Sequence, residues 1–444
     1  MIQRIAIAVV LAVVCLAQNQ ADTERMDQIV QSYVSGKKFM GSVLVARDGT
    51  VIFEKGYGFA NLEWDIPNSP TTKFRLGSIT KQFTAASILL LEERGKLKVE
   101  DPVKKYMPDA PAAWDKITVF NLLTHTSGIP SFTGFPDYRS TEATATTPEQ
   151  LVARFRDKPL EFQPGEKWNY SNSGYFLLGY LIEKISGQSY ADFVQQNIFG
   201  PLGMKDSGYD SNSAVILHRA AGYAPGPAGA VNAGFIHMSI PFSAGALYST
   251  TEDLLRWEQG LFGGKLLSSA SLQKMTTPFK ENYAFGLAVD TQGSHKVISH
   301  DGGIEGFNTT LAFYPEDKLV VVVLANLNGP ATGAIGGYMA SVAHGEKVVL
   351  PSERKEVTVS PEILAKYVGT YELTPDFSIV ITQEGDHLAE QATHQNKLPM
   401  FAESETMFFL KTVDAEVEFV KNDKGEVTSL VLHQGGRDMK GVKK

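Results

Sequence analysis

The chain carries strand-forming sequence at both ends of a long segment and helix-forming sequence between them. Ser42–Ala46 and Val51–Glu54 are β-branched runs on either side of an Asp-Gly pair, a pattern typical of a β-hairpin. Much later, Asn308–Tyr314 and Lys318–Leu324 flank the turn sequence Pro-Glu-Asp. We therefore predict an α+β fold, an α/β sandwich, in which both ends of one domain build a single antiparallel sheet flanked by helices.

The segment between these strands has helical periodicity. From Ser78 to Arg94, Phe83, Ala86 and Leu90 follow one another at spacings of three and four, and Gly95 supplies a stop signal. The same reasoning predicts an inserted helical region that includes Val119–Thr124, Pro148–Arg156, Gly174–Ile185 and Thr251–Leu261.

The composition changes near residue 345. Residues 346–360 are charged and turn-rich, which is typical of a linker. Residues 361–444 contain short strand patterns without an obvious catalytic cluster, so we expect a small, barrel-like all-β domain there. Residues 22–345 then form the larger domain.

Residues 1–21 have the pattern of a secretory signal peptide. Arg4 precedes an apolar run from Ile5 to Ala17, and small and polar residues follow. The run is shorter than the roughly 20 residues that span a bilayer, so we expect no stable membrane span and a periplasmic or secreted protein. Cys15, the one cysteine, lies in this segment, so we expect neither a disulfide nor a cysteine-bound metal in the mature chain.

Composition excludes several classes of protein. With 444 residues, 43% of them hydrophobic and 10% aromatic, the chain has enough apolar sequence for folded cores rather than general disorder. The formal net charge of −8 argues against a nucleic-acid-binding protein. Gly-x-Ser-x-Gly, His-Glu-x-x-His and P-loop motifs are absent from the sequence, which disfavours the most common hydrolase, metalloprotease and nucleotide-binding classes.

Ser78-Ile79-Thr80-Lys81 lies where a loop enters the first long predicted helix. A spacing of three puts both polar side chains on one helix face. A neutral lysine can take the proton of the serine hydroxyl and make it a nucleophile. The alternative is that Ser78 caps the helix and Lys81 is a surface residue.

Two further motifs add polar groups that suit the same chemistry. In Tyr170-Ser171-Asn172, a phenol beside an ammonium is biased toward phenolate and can relay protons, and the Asn172 amide can orient Lys81 and a substrate carbonyl. In His300-Asp301-Gly302-Gly303, the glycines allow a peptide to pair along a strand edge, and His300 can bind a substrate carboxylate or carbonyl. Each motif alone also fits an ordinary loop or turn.

Together and in this order, the three motifs resemble the serine β-lactamase and penicillin-binding-protein superfamily, specifically its class C branch. Residues 122–130, 162–165 and 201–204 resemble the same family. The tail, including Tyr367–Tyr371, is similar to the lipocalin-like module appended to many of these hydrolases.

The resemblance implies a role for each matched residue. Ser78 would be the acylated nucleophile, Lys81 and Tyr170 its proton-transfer partners, and Asn172 an anchor for Lys81 and substrate. His300 replaces the family's strand lysine, which argues against strong β-lactamase activity because histidine is mostly neutral near pH 7. The Ser78 amide would be one oxyanion donor, and Ile304 or Glu305 the second.

We therefore expect an exported serine hydrolase that forms a covalent acyl-enzyme, needs no metal or organic cofactor and acts on D-amino-acid peptides. A carboxylesterase or weak β-lactamase is the near alternative, and a non-catalytic penicillin-binding sensor is the distant one. The partner is a small molecule or peptide, and the oligomeric state stays open. We expect His125 to support the fold rather than catalyse, and Glu166 and Trp168 to shape a loop.

Overall fold

The computed structural model describes residues 20–350, 353–411, 413, 415–434 and 437–444. Most of the predicted signal segment therefore lies outside the described residues. The chain divides into two compact units, one extending to Thr291 and from His295 to Ala343, the other comprising Gln292–Ser294 and His344–Lys444.

The larger unit is built on a six-stranded sheet in the order β10-β11-β12-β13-β1-β2. β1 pairs antiparallel with β2, as the early hairpin predicts, and with β13 through Gly41 opposite Ala325. β12 in turn joins β11 to β13. The predicted sheet built from both ends of the domain is thus confirmed. The strands of this unit are β1 Gly41–Arg47, β2 Thr50–Tyr57, β3 Phe59–Asn61, β4 Ile66–Pro67, β5 Phe74–Arg75, β6 Gly208–Tyr209, β7 Tyr223–Gly226, β8 Gly229–Asn232, β9 Leu247–Ser249, β10 Ala288–Gln292, β11 His295–Ile304, β12 Phe307–Tyr314 and β13 Leu319–Ala325.

Helices cover the sheet and fill the insertion between its strands. The central helix, α2, is buried from Thr80 to Leu91, and its apolar side chains belong to one core shared with the sheet and the insertion. The predicted helix at Ser78 begins instead as a 3₁₀ turn, Gly77–Ile79, and becomes α-helical at Thr80. The helices are α1 20–35, α2 Thr80–Glu93, α3 Val119–Leu123, α4 Tyr138–Thr141, α5 Pro148–Arg156, α6 Asn172–Ser186, α7 Tyr190–Val194, α8 Gly200–Leu202, α9 Phe242–Gly245, α10 Thr251–Phe262, α11 Ser269–Thr276, α12 Ala331–Ala343 and α13 Pro361–Tyr367.

The smaller unit is a closed eight-stranded barrel with its own apolar core, which confirms the expected barrel-like domain. β14 closes the barrel by pairing with β21, and α13 precedes it. Its strands are β14 Gly369–Thr374, β15 Phe377–Glu384, β16 His387–Ala392, β17 Leu398–Ala402, β18 Met407–Leu410, β19 Ala415–Lys421, β20 Val427–Gln434 and β21 Arg437–Lys443.

Over the described part of the chain, we find no helix with the length and apolar character needed to cross a membrane.

Candidate active site

Ser78 lies in a tight turn that the sheet holds in place. The preceding residue, Gly77, has φ of +54°, and a Cβ added to it would lie 2.8 Å from the Gly303 nitrogen in β11. Only glycine fits a left-handed conformation at such a close approach. The turn therefore presents Ser78 directly beside the end of β11.

Lys81 is fully buried one turn after Ser78. Its Nζ lies 3.0 Å from Ser78 Oγ, 2.9 Å from Asn172 Oδ1 and 2.9 Å from the carbonyl oxygen of Ala244. Burial lowers the pKa of Lys81 well below its ordinary value. A neutral amine has two N–H donors for the Asn172 and Ala244 oxygens, which leaves its lone pair to accept the Ser78 hydroxyl proton.

Tyr170 contacts the same two residues. Its phenol lies beside the Ser78 side chain, and Lys81 Nζ lies 4.8 Å from the centroid of its ring. Burial raises the pKa of Tyr170 above its ordinary value. The predicted bias toward phenolate is wrong for this resting state, because desolvation disfavours both the phenolate and the ammonium that would stabilise it.

Asn172 is the first residue of α6 and connects Lys81 to the loop before α4. While Oδ1 accepts from Lys81, Nδ2 donates to Thr133 Oγ1 at 3.1 Å. These two bonds fix the orientation of the amide. The structure thus places Asn172 where an anchor for Lys81 was expected.

His300 does not present a free nitrogen to a substrate, in contrast to the prediction. Nδ1 lies 2.6 Å from the Asp301 carbonyl oxygen and must donate to it, so Nε2 accepts from the Tyr283 hydroxyl at 3.0 Å. Burial is the main cause that lowers the pKa of His300 to about 4, and nearby Lys81 adds to it. His300 is therefore neutral and internally bonded, unlike a lysine that binds carboxylates.

The glycines after His300 differ in function. A Cβ on Gly302 would lie 2.0 Å from the Leu76 carbonyl oxygen and 2.2 Å from Thr309 Oγ1, so Gly302 allows β11 to pack against the turn that carries Ser78. It does not line the cleft at Ser78, whereas Gly303 does. The prediction that Gly302 binds substrate is corrected accordingly.

The backbone pattern also favours Gly303 as the second oxyanion donor, in place of the predicted Ile304 or Glu305. Ile304 pairs with Phe307 across a two-residue turn, and such flanking residues hydrogen-bond each other. The adjacent pair, Gly303 and Asn308, then points its N–H groups outward. The Gly303 amide therefore faces Gly77 and Ser78, while the Ile304 amide is engaged with β12.

His125 contacts the Tyr170–Asn172 segment of this site. Its Nδ1 accepts a hydrogen bond from the Ser171 N–H at 3.1 Å, and its ring centroid lies 4.3 Å from that of Tyr170. Burial lowers its pKa well below the ordinary value, and its Nε2 has no hydrogen-bond partner among the described residues. Glu166 is exposed and Trp168 packs 6.1 Å from His125, and neither lines the cleft at Ser78.

A cleft of about 310 Å³ opens beside Ser78. Sequence reasoning missed several of its residues and the Tyr283 partner of His300, because none belongs to a motif and only the fold brings them together. Within the described ranges, no cluster of three or more histidine, cysteine, aspartate or glutamate residues is arranged to hold a metal ion. The cleft is lined by Gly77, Ser78, Phe132, Thr133, Phe135, Tyr138, Arg139, Asn172, Ile236, Pro241, Ala244, Gly245, Gly303, Ile304 and Glu305.

A serine hydroxyl beside a phenol and a buried lysine whose pKa is lowered is the arrangement of a serine hydrolase that works by acyl transfer. The chain belongs to the Beta-lactamase family, whose model matches residues 26–345. Residues 353–443 match a second model, described as a domain of unknown function (DUF3471).

The relatives agree with this assignment. The chain is 30% identical to Penicillin-binding protein 4* of Bacillus subtilis (strain 168) over 91% of its own length and 95% of the relative's. It is also similar to the octameric penicillin-binding protein homologue from Pyrococcus abyssi, with a TM-score of 0.68, 27% identity and coverage of 95% and 100% of the two chains. A D-stereospecific amidohydrolase from Streptomyces sp. has a TM-score of 0.61 and 27% identity, and the likeness covers 73% of this chain and 99% of that one.

Proposed function

We propose that this protein is an exported hydrolase of D-amino-acid peptides. One observation carries the proposal: the buried Lys81 amine lies 3.0 Å from the hydroxyl of Ser78. The similarity to a D-stereospecific amidohydrolase supports the choice of substrate.

In the proposed reaction, Lys81 Nζ takes the Ser78 proton as Oγ attacks the peptide carbonyl carbon. The N–H groups of Ser78 and Gly303 bind the resulting oxyanion. Tyr170 gives its phenolic proton to the leaving nitrogen as the C–N bond breaks, and the proton held by Lys81 then restores the phenol. Water attacks the acyl-enzyme ester, its proton returns to Ser78 Oγ, and the carboxylic acid leaves.

The test combines covalent labelling with a substrate panel. We expect wild-type protein to react with a fluorophosphonate probe at Ser78 and to hydrolyse D-alanyl peptides, and Ser78→Ala to lose both by a factor of about 10³ or more. Unchanged turnover or labelling in the Ser78→Ala variant would refute the nucleophile. Hydrolysis of L-alanyl peptides at the same rate would refute the D-specific substrate.

A carboxylesterase is the second candidate, and the His300 geometry favours it. An ester needs no cationic anchor for a terminal carboxylate, and His300 is neutral with both nitrogens engaged. Short acyl esters and nitrocefin assayed beside the peptides separate the candidates, since turnover of esters alone would select the esterase.

Export is tested separately by expressing the full chain and measuring the mass of the protein recovered outside the cytoplasm by mass spectrometry. We expect a mass that corresponds to cleavage after Ala17 or Ala21. Full-length protein confined to the cytoplasm would contradict export.

A further inference from the structure

The cleft beside Ser78 has one charged corner. Among its lining residues, Arg139 and Glu305 are the two that carry a formal charge. Arg139 belongs to the short helix α4, and Glu305 lies in the turn between β11 and β12. The corner therefore joins the two walls of the cleft.

The guanidinium of Arg139 is held from one side. Its Nη1 donates to Glu142 Oε2 at 3.1 Å and to Glu305 Oε1 at 3.0 Å. Both carboxylate side chains are largely buried, at 11% and 16% exposure, whereas the Arg139 side chain is 76% exposed. Nε and Nη2 make no hydrogen bond to any described residue, so this edge of the guanidinium can receive a carboxylate.

The position of Tyr170 identifies which part of a substrate enters this cleft. Tyr170 lies beside Ser78 but is not among the residues that line the cleft. Under the proposed function, on which this step rests, Tyr170 protonates the leaving group, so the leaving group departs on the Tyr170 side. The cleft then holds the acyl group of the substrate.

Three large apolar side chains line part of the cleft. Phe132, Phe135 and Ile304 are available to contact the aliphatic part of an acyl chain. His300 is neutral and internally bonded, so it offers no competing positive charge.

We propose that Arg139 determines specificity by binding a carboxylate at the far end of the substrate's acyl group. The expected substrates are acyl groups with a short aliphatic chain and a terminal acid, such as those of dicarboxylic amino acids. Glu142 and Glu305 orient the guanidinium, and an incoming carboxylate binds its exposed edge.

A matched series of acyl groups tests the proposal. Glutaryl, pentanoyl and 5-aminopentanoyl groups have similar chains and end in a negative, a neutral and a positive group. Each is attached as an amide to the nitrogen of D-alanine and as an ester to p-nitrophenol, so that both series transfer the same acyl group to Ser78 and the preference can be measured even if the amides are not hydrolysed. Concentrations of active protein are set by fluorophosphonate titration of Ser78.

We expect wild-type kcat/KM to favour glutaryl over pentanoyl by about tenfold, because the exposed edge of the guanidinium can hydrogen-bond a carboxylate but not a methyl group. The ratio should fall to about one in Arg139→Gln and be intermediate in Arg139→Lys, which keeps the charge but not the planar fork. Arg156→Gln is the matched control, because Arg156 pairs with Asp109 outside the cleft, and its ratio should equal that of wild type.

Three results would overturn the proposal. They are a wild-type ratio near one, a ratio that Arg139→Gln leaves unchanged, or a preference for 5-aminopentanoyl that Glu305→Gln abolishes. The last result would show that Glu305 binds the positively charged end of the substrate. Failure with the amides alone would instead count against the proposed substrate class and leave the arginine proposal standing on the esters.

Discussion

At the scale of single residues, burial disfavours the charged forms of the side chains in the site. Lys81, His125 and His300 are all buried, and in each case desolvation is the largest cause that lowers the pKa. Burial raises the pKa of Tyr170 in turn. An uncharged amine and an intact phenol are the forms that can accept the Ser78 proton and donate one to a leaving group, respectively.

His125 is expected to act as a positioning residue for the Tyr170–Asn172 segment. His125→Leu removes the acceptor of the Ser171 N–H, and an unpaired buried donor costs about 1–3 kcal/mol. We expect kcat to fall about tenfold with little change in KM. His125→Asn keeps an acceptor near the position of Nδ1 and tolerates the φ of +57°, so it should recover most of kcat. Equal kcat values for the two variants would contradict this expectation.

Glu258 provides a pH-dependent contribution to stability, away from the site. It is 2% exposed in α10, and burial raises its pKa from 4.5 to about 8. The folded protein therefore keeps a proton that the unfolded chain loses above pH 4.5, so the free energy of unfolding should decrease as pH rises toward 8. Glu258→Gln cannot ionise, and urea titrations from pH 5 to 8 should show a smaller decrease for this variant. Parallel curves for the two proteins would exclude Glu258 as the source.

At the scale of elements, the close approach of β11 to the Ser78 turn positions the site. Gly302→Ala would force a Cβ to 2.0 Å from the Leu76 carbonyl oxygen and displace the strand from the turn. We expect about 1–3 kcal/mol of lost stability and a lower kcat. Gly303→Ala is the matched control for stability, because its Cβ would have 3.4 Å to its nearest neighbour, Asn308 Nδ2. Equal thermal unfolding temperatures for the two variants would contradict the steric explanation.

The sequence was informative about elements with strong local patterns. β1, β2, β12 and β13 are β-branched runs next to turn residues, so both the strands and their common sheet were predictable. Helix α12 was not predicted, because Ala331–Ala343 is rich in glycine and alanine and has little polar alternation to mark a face. The direction in which the Gly303 N–H points depends on the register between β11 and β12, and the residue types of the motif do not determine that register.

At the scale of the whole molecule, the chain forms two units with separate apolar cores. The three motifs indicated that Ser78, Lys81, Tyr170 and Asn172 lie near one another because together, in this order, they resemble one family, although each motif alone fits an ordinary loop or turn. Arg139 and Glu305 could not be paired in this way, since nothing local indicates that α4 and the β11–β12 turn meet. The burial of His300 was likewise not predictable, because it depends on packing against Tyr283, which belongs to none of the three motifs.

The pairing of β1 with β13 has a consequence for biosynthesis. During translation, Gly41–Arg47 leaves the ribosome long before its partner strand Leu319–Ala325 has been made. One edge of the early hairpin therefore stays unpaired during that time. Such delayed closure slows folding and leaves apolar strand edges open to self-association. We therefore expect the nascent chain to be prone to self-association until nearly the whole of the larger unit has been made.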